Sequence, residues 1–399
     1  MQLQLTEQQA RDAGVNLERL RLLDATLREW VEKGYRPTIN TIIYRNGIPV
    51  FSGSYGVKGR DMGPLTMDAI FAMASITKPV IAALMVLLQE DGVIDLNYPV
   101  KLYYPDFQVT GDEEQAVNIW FLLTHTSGLD DEGQSEAAAR YVMDEMGLAD
   151  PREDDYKNWR DIMLEARKKL ELPLSDDPEK DADDTWYRIQ LRTKLTYRPR
   201  GEMRYCSLGY EVCKRIILHM TGESIDSFAR RRLFEPLGMK DTYWRLPEEK
   251  WDRVIRRTFE EDSWFTSPEC FTSESGGGGL KSTAPDMIRF CEMLRRGGTL
   301  DGARIFSPIT VRSMLQNYNG GMGGWGAWAL GFNYRADKYD DTGIVRPPST
   351  VDHAGSGGVK LLIDRENKLS WVFFTAWPPD APVVFNWFTN LVYSALDDL

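Results

Sequence analysis

The sequence of 399 residues is poor in the residues that build metal sites and disulfide frameworks. It contains three histidines, His125, His219 and His353, and none of them has the H-x-x-x-H spacing that places two rings on one helix face. Its four cysteines show no C-x-x-C spacing, so we expect free thiols in a reducing compartment. The sequence therefore implies neither a metal nor an organic cofactor.

Long apolar runs and an excess of positive charge are also absent. No apolar stretch reaches the ~20 residues that span a bilayer, and the N-terminal sequence MQLQLTEQQARD has no apolar signal core. A net charge of -12 and a pI near 5.0 disfavour nucleic acid and anionic membrane as partners. We therefore expect a cytoplasmic globular protein, a monomer or homodimer, that acts on a small molecule.

Strand patterns lie toward both ends of the chain, and helical patterns lie between them. A helix over residues 16–33 precedes a hairpin signature over 41–56, which turns at Asn46-Gly47. Residues 358–377 predict a second hairpin with a polar turn, and residues 385–396 predict an amphipathic closing helix. This arrangement predicts an α+β fold in which one antiparallel sheet is closed by the two chain ends.

The middle of the chain has a different composition. From residue 130 to about 198 it is rich in charge and in helix formers, and it predicts helices over 137–146 and 159–170. We therefore divide the chain into a discontinuous α/β domain, residues 1–129 and 200–399, and a mostly helical insertion, residues 130–199. The insertion belongs to a second lobe that also takes parts of 80–129 and 200–290. It either covers a cleft or is a solvated decoration, and both alternatives are open.

Ser75 and Lys78 lie three residues apart in the segment ASITKP, between an apolar approach and an apolar run. If a helix begins near Ser75, Lys78 follows one turn later on the same face and reaches the serine side chain. Pro79 then falls in the first turn, where its missing N–H costs nothing. The helix dipole and burial both lower the pKa of a lysine in such a place toward that of a usable base. The spacing therefore suits a nucleophile with its base, although it is also common at ordinary helix starts.

Two further segments help to decide whether Ser75 and Lys78 form a catalytic pair or an ordinary helix start. Tyr205 precedes a helical pattern in GEMRYCSLGYEV, and the triplet His353-Ala354-Gly355 lies in VDHAGSGGVKLLID, which runs into a strand. With these, the chain resembles the serine hydrolases built like class C β-lactamases, D-alanyl-D-alanine peptidases and family VIII carboxylesterases. The resemblance covers nearly the whole chain in order, through the motifs SITK, DGVIDLNYPVKLYYPDF, LLTHTSGL, YCSLGY, LFEPLGMKDT, GGGGLKSTAPDM and HAGSGG.

The resemblance implies a role for each matching residue. Ser75 is expected to be the acyl-accepting nucleophile, and Lys78 and Tyr205 together form its general base. Tyr205 then delivers the proton to the leaving group and later activates water. The backbone N–H groups of Ser75 and Ser356 are expected to form the oxyanion hole. The fold implied is that of β-lactamases and penicillin-binding proteins, a central antiparallel sheet flanked by helices with an inserted helical lobe.

Two departures from the family pattern concern substrate binding. Ser207 stands where the penicillin-recognising members usually have an asparagine, and a serine makes fewer hydrogen bonds. His353 and Gly355 stand where such enzymes often carry a Lys-Thr-Gly triplet, so a fixed positive charge is lost. We therefore expect a carboxylesterase that cleaves small uncharged esters through a Ser75 acyl-enzyme. Alternatives are acyl transfer to an alcohol or amine, β-lactam or D-amino-acid peptide hydrolysis, and a catalytically silent binding protein.

Several other motifs suggest alternative catalytic or binding groups. Ser356 nearly matches the elbow G-x-S-x-G, but that motif needs a following helix, and a hairpin is predicted there. Of the histidines that a Ser-His-Asp triad would use, we expect His125 to bond backbone in a tight loop and His219 to be a surface or cap residue. In GGGGLKST, Leu280 replaces a phosphate-loop glycine, so we expect residues 276–279 to form a close-packed turn.

The aromatic residues that wall the cleft stay undetermined. The segment GGMGGWGAWALGFNY, residues 320–334, either walls an acyl pocket or is a loop with a core strand. In the insertion, Tyr156, Trp159 and Trp186 are further candidates, and the sequence does not say which of them face the cleft. The cysteine beside Tyr205 is most simply a packed thiol.

Overall fold

A computed structural model describes residues 5–59, 62–111, 116–152, 156–256, 264–322, 326–338, 340–376 and 384–397, apart from the side chains of residues 156 and 157. The chain divides into two compact units, which are described separately below. The first comprises Met1–Gly92 and Thr221–Leu399, and the second comprises Val93–Met220.

The strands and helices run in the following order. The strands are β1 (Thr38–Arg45), β2 (Ile48–Gly56), β3 (Phe71–Ala72), β4 (Lys281–Ser282), β5 (Thr299–Leu300), β6 (Ala303–Arg304), β7 (Asn333–Tyr334), β8 (Val351–Gly355), β9 (Val359–Asp364) and β10 (Leu369–Thr375). The helices are α1 (Glu7–Ala13), α2 (Leu17–Glu32), α3 (Thr77–Glu90), α4 (Val100–Tyr103), α5 (Ile119–Leu123), α6 (Asp131–Asp144), α7 (Tyr156–Lys169), α8 (Pro178–Gln190), α9 (Leu208–Thr221), α10 (Ile225–Ala229), α11 (Glu235–Leu237), α12 (Pro268–Thr272), α13 (Ala284–Arg295), α14 (Pro308–Met314) and α15 (Phe385–Ser394).

The first unit is built on a six-stranded antiparallel sheet with the order β2-β1-β10-β9-β8-β7. Strand β1, near the start of the chain, pairs with β10, near its end, so that Ile42 lies opposite Val372. The predicted sheet closed by the two chain ends is therefore confirmed. Both predicted hairpins are also present, as β1-β2 and β9-β10, because their turn residues and alternating patterns are local signals.

Helices cover the two faces of this sheet. Asn16 caps α2 by accepting from the backbone N–H groups of Glu18 and Arg19. Leu23 and Leu27 of α2 share one buried cluster with Trp371 of β10 and with α15. Side chains alternate along a strand, so Ser370 points to the opposite face. There its hydroxyl donates to Glu292 of α13 at 2.6 Å.

Helix α3 runs through the core of the first unit. Every residue from Thr77 to Leu88 is buried, so the helix is apolar on all sides except at its first turn. Pro79 lies in that first turn, as predicted, where no intrahelical N–H is lost. At 14 residues α3 is too short to cross a bilayer. No other helix in the described part of the chain is long and apolar enough to do so.

The second unit contains α6, α7 and α8 around a small core of their own. Ala138, Met163 and Ile189 belong to this core, and Trp159 and Trp186 pack against it. These two tryptophans therefore have a structural contact in the insertion, and the side chain of Tyr156 lies outside the described residues.

The predicted helices of the insertion are present with shifted bounds, and one helix was not predicted. Helix α6 begins at Asp131 rather than at residue 137, and α7 runs over Tyr156–Lys169. Helix α8 lies in a strongly acidic segment, yet Asp177 caps it and Pro178 occupies its first position. The buried guanidinium of Arg167 pairs with Asp181 and Asp184 of this helix. Those ion pairs offset the repulsion between acidic side chains that made the helix hard to recognise.

Candidate active site

Ser75 lies on a short 3-10 turn, Ala74–Ile76, that leads directly into α3. Ala74 has φ of 44°, a left-handed conformation that a residue with a side chain adopts at a cost of order 1–3 kcal/mol. The hydroxyl of Thr77 donates to the Ala74 carbonyl at 2.6 Å and accepts from the Leu280 N–H at 3.0 Å. The strained turn is therefore fastened to the segment before β4, and Ser75 remains partly exposed.

Lys78 lies one helical turn after Ser75, with a fully buried side chain. Its Nζ donates to Ser75 Oγ at 3.2 Å and to the Gly277 carbonyl at 2.8 Å. The amine is thus held between the serine hydroxyl and one backbone carbonyl. This is the geometry that a base needs to take a proton from a hydroxyl.

The loop that supplies this carbonyl begins at Ser273 and ends at Gly279. Residues 276–278 form a turn within it, in agreement with the close-packed turn expected for the glycine run. The carbonyl of Gly277 was not predicted as a site group. Its only signal in the sequence was the glycine run, which shows a turn but not which carbonyl meets the lysine.

The end of β8 lies against the turn that carries Ser75. A methyl group at Gly355 would lie 2.2 Å from the carbonyl oxygen of Met73, so only glycine permits this approach. Ser356 follows Gly355 in the turn between β8 and β9. A strand rather than a helix comes after Ser356, which contradicts the nucleophile-elbow alternative.

An apolar pocket adjoins Ser356 in the first unit. Its lining includes Phe71, Ile255, Phe265 and Val359, and its cavity volume is about 10 Å³. That volume is roughly what a single water molecule needs. The pocket therefore shows that apolar side chains lie beside Ser356, and it has little space of its own.

His353, in β8, is buried and electrically neutral. Its Nδ1–H donates to the Ala354 carbonyl at 2.8 Å, which assigns the tautomer, and its ring meets the edge of Trp328 with centroids 5.7 Å apart. Burial lowers the pKa of His353 to about 3, and the positive charges of Lys78 and Lys360 act in the same direction. No positive charge therefore stands at this position near neutral pH. Trp328 places the segment 320–334 beside His353, although residues 323–325 lie outside the described part.

Tyr205 lies in the second unit, immediately before α9, with its side chain partly exposed. Its ring stacks on that of His125 at a centroid distance of 4.3 Å and an angle of 31°. His125 Nδ1 accepts from the Cys206 N–H at 3.0 Å, and its carbonyl accepts from the Arg204 N–H at 2.8 Å. His125 thus bonds the backbone on both sides of Tyr205, as expected of a tight loop, and its own φ is 58°.

Asp131 fixes the residues that follow Tyr205. Its carboxylate accepts from the N–H groups of Ser207 at 2.8 Å and Leu208 at 2.9 Å, and from Cys206 Sγ at 3.2 Å. It therefore caps the start of α9 from another helix. Burial, reinforced by the charge of Asp131, raises the pKa of Cys206, which stays a protonated packed thiol. Sequence reasoning did not select Asp131, because nothing local links it to a segment 75 residues away.

The predicted site residues fall into two groups. Five residues lie in the first unit, and they are Ser75, Lys78, His353, Gly355 and Ser356. Tyr205 and Ser207 lie in the second unit, where α9 also carries an exposed His219 near its end. In the described ranges, no three His, Cys, Asp or Glu side chains converge in a way that could hold a metal ion.

Comparison with known proteins identifies the family. The Beta-lactamase family profile matches residues 23–393, and the chain belongs to this family. Penicillin-binding protein 4 of Amycolatopsis lactamdurans is 29% identical over 314 residues, which cover 76% of this chain and 71% of the relative. Esterase EstB of Burkholderia gladioli is 24% identical over 377 residues, covering 84% of each chain. The solved structure of a family VIII carboxylesterase has a TM-score of 0.72 at 18% identity, covering 99% of this chain and 100% of that one.

These similarities confirm two of the predictions. The resemblance to class C β-lactamase-like serine hydrolases is confirmed, and so is the α+β fold with its central antiparallel sheet. The family includes both esterases and penicillin-binding proteins among the relatives of this chain. Family membership therefore defines a β-lactamase-fold serine hydrolase and leaves the substrate to be argued from the site.

Proposed function

We propose that this protein is a carboxylesterase that cleaves small carboxylic esters through a Ser75 acyl-enzyme. The observation that carries the proposal is the 3.2 Å contact between Lys78 Nζ and Ser75 Oγ, with the lysine buried and held by the Gly277 carbonyl. At this distance a neutral amine at Lys78 can take the proton of the Ser75 hydroxyl.

The proposed reaction has two steps. Ser75 Oγ attacks the ester carbonyl carbon while its proton passes to the base formed by Lys78 and Tyr205, and the alcohol leaves with a proton from that base. Water, activated by the same base, then attacks the acyl-enzyme and releases the acid and free Ser75. The N–H groups of Ser75 and Ser356 hold the oxyanion in both steps.

Two observations favour an uncharged ester over a β-lactam or a peptide. The neutral state of His353 provides no cation for a substrate carboxylate. The side chains that line the pocket beside Ser356 are mostly apolar, which suits an uncharged group better than an amide-bearing side chain. Transfer of the acyl group to another alcohol uses the same acyl-enzyme and differs only in the acceptor.

Two measurements test this proposal. A fluorophosphonate probe, followed by mass spectrometry, should label the wild type at Ser75. Labelling should disappear in Ser75→Ala and persist in Ser356→Ala, which removes the rival hydroxyl but retains the backbone N–H. Adduct formation that survives Ser75→Ala, or no adduct on the wild type, would refute the nucleophile.

The second measurement addresses the substrate. A panel of p-nitrophenyl esters of increasing acyl length should be run beside a chromogenic cephalosporin. We expect turnover to be highest for short esters and low for the cephalosporin. Efficient cephalosporin hydrolysis with poor ester hydrolysis would replace the esterase assignment with a β-lactamase or peptidase assignment.

A further inference from the structure

A second buried lysine lies close to the loop that holds Lys78. Lys281, in β4, is 1% exposed, and its Nζ donates to three backbone carbonyls. These are the carbonyls of Trp244 at 2.5 Å, Gly279 at 2.7 Å and Ser273 at 3.0 Å. An ammonium group has three N–H donors, so this arrangement uses all of them.

Two of the three acceptors, the carbonyls of Ser273 and Gly279, are the two ends of the loop Ser273–Gly279, so Lys281 holds this loop at both ends. Inside the loop, the Ser275 carbonyl accepts from the Gly279 N–H at 2.9 Å and from Trp244 Nε1 at 3.1 Å. A methyl group at Gly279 would lie 2.6 Å from the Ser275 nitrogen, so the loop closes too tightly for any other residue. Gly277 lies between the two points that Lys281 holds, and its carbonyl is the one that binds Lys78.

Burying the Lys281 ammonium to hold this loop carries a desolvation cost. Burial lowers the pKa of Lys281 to about 8, while the charges of Asp226 and Glu274 and the thiol of Cys270 favour the ammonium and Arg245 opposes it. An apolar side chain in β4 would avoid this desolvation cost, but it would leave the carbonyls without donors. The ammonium joins three chain segments at one point, which a methionine or leucine cannot do.

We propose that Lys281 is a positioning residue for Lys78, because it fixes the loop Ser273–Gly279 so that the Gly277 carbonyl holds the Lys78 amine at Ser75. This inference rests on the proposed function, in which Lys78 acts on the Ser75 hydroxyl. Lys281 itself touches neither Ser75 nor the substrate, and it acts only through the loop.

The test is Lys281→Met, which retains the length of the side chain and removes its donors. A displacement of the base by about 1 Å lowers a rate by about 100-fold. We therefore expect kcat for a p-nitrophenyl ester and the fluorophosphonate labelling rate to fall by about that factor, with KM changed less than about threefold. Hydrogen exchange should accelerate in the peptide that covers residues 273–280.

Lys338→Met is the matched control. Lys338 is another buried lysine of the same unit, and its Nζ donates to the Ala327 carbonyl and to Asn333 Oδ1, both at 2.5 Å. Its pKa is also lowered to about 8 by burial, so the substitution removes a comparable buried ammonium. We expect this variant to label Ser75 within about threefold of the wild-type rate, with exchange over 273–280 unchanged.

The possible outcomes distinguish the role of Lys281 from the proposed esterase function. An active wild type with unimpaired Lys281→Met would overturn the role of Lys281 and leave the esterase proposal intact, as would equal losses in both methionine variants. A wild type that neither labels nor turns over esters would overturn both. If Lys281→Met does not fold, Lys281→Gln keeps two donors and should lose about tenfold, the equivalent of one hydrogen bond. Wild-type rates in that variant would also overturn the inference.

Discussion

The contact between His125 and the Tyr205 segment can be tested with a single substitution. In His125→Phe the aromatic ring remains available to stack on Tyr205, while the Nδ1 acceptor of the Cys206 N–H is lost. The variant therefore removes that hydrogen bond and also places phenylalanine at a φ of 58°, which histidine tolerates better. Cys206 is buried, so its N–H would be left without an acceptor.

The size of the effect follows from this geometry. A buried N–H without a partner costs about 1–3 kcal/mol of unfolding free energy. If the backbone shifts to recover a partner and moves Tyr205 by about 1 Å, kcat for an ester falls by about 100-fold. His125→Asn should lose less unfolding free energy and less kcat than His125→Phe, because asparagine tolerates the positive φ and offers a carbonyl oxygen as an acceptor.

Denaturant unfolding and ester kinetics measure these two quantities on the same samples. His219→Phe is the control, since it makes the same substitution at an exposed position near the end of α9 and should change neither quantity. The reasoning fails if His125→Phe unfolds at the wild-type denaturant concentration and retains kcat within about threefold.

Three further predictions follow. Lys78→Ala and Tyr205→Phe should each lower ester kcat by about 100-fold or more with unchanged circular dichroism, and near-native turnover in either would exclude that residue from the base. His353→Lys should raise the activity ratio of carboxylate-bearing to neutral esters, because it restores a cation, and an unchanged ratio would show that position 353 does not meet the substrate charge. The Arg253 guanidinium, together with Lys250, lowers the pKa of Asp241 to about 2. The ionised Asp241 therefore stabilises the fold fully above pH 4, and this stabilisation is lost as the pH falls through 2. In Asp241→Asn the unfolding free energy should therefore fall less steeply between pH 4 and 2 than in the wild type. Equal slopes for the two proteins would contradict this prediction.

The elements that the sequence predicted well are those with local signals. The helix predicted from residue 16, the Asn46-Gly47 turn and the closing helix, which is observed over Phe385–Ser394, each depend on residues within one or two turns of each other. The same locality explains why Ser75 and Lys78 could be paired, since one helical turn separates them. Element bounds were less certain, as α6 shows by beginning six residues before its predicted start.

The groups that were missed depend on long-range contacts. Helix α8 lies in an acidic segment whose charge is compensated by Arg167, more than ten residues away. Asp131 holds the segment after Tyr205 from across the unit. The carbonyl of Gly277 could not be identified at all, because every residue has a carbonyl and only the folded loop aims this one at Lys78.

Lys78 and Lys281 show why residue type and burial do not by themselves distinguish a catalytic group from a structural one. Both amino groups are buried, and both donate to carbonyls of the loop Ser273–Gly279. They differ in the kind of acceptor, because Lys78 also reaches the Ser75 hydroxyl whereas the hydrogen bonds of Lys281 go to carbonyls. A carbonyl oxygen has no proton to give, so the amine of Lys281 can only hold the backbone that surrounds it. The Ser75 hydroxyl has a proton to give, so a neutral amine at Lys78 can accept that proton and leave an alkoxide on Ser75. The chemistry that we assign to this pair therefore follows from the identity of a single hydrogen-bond partner.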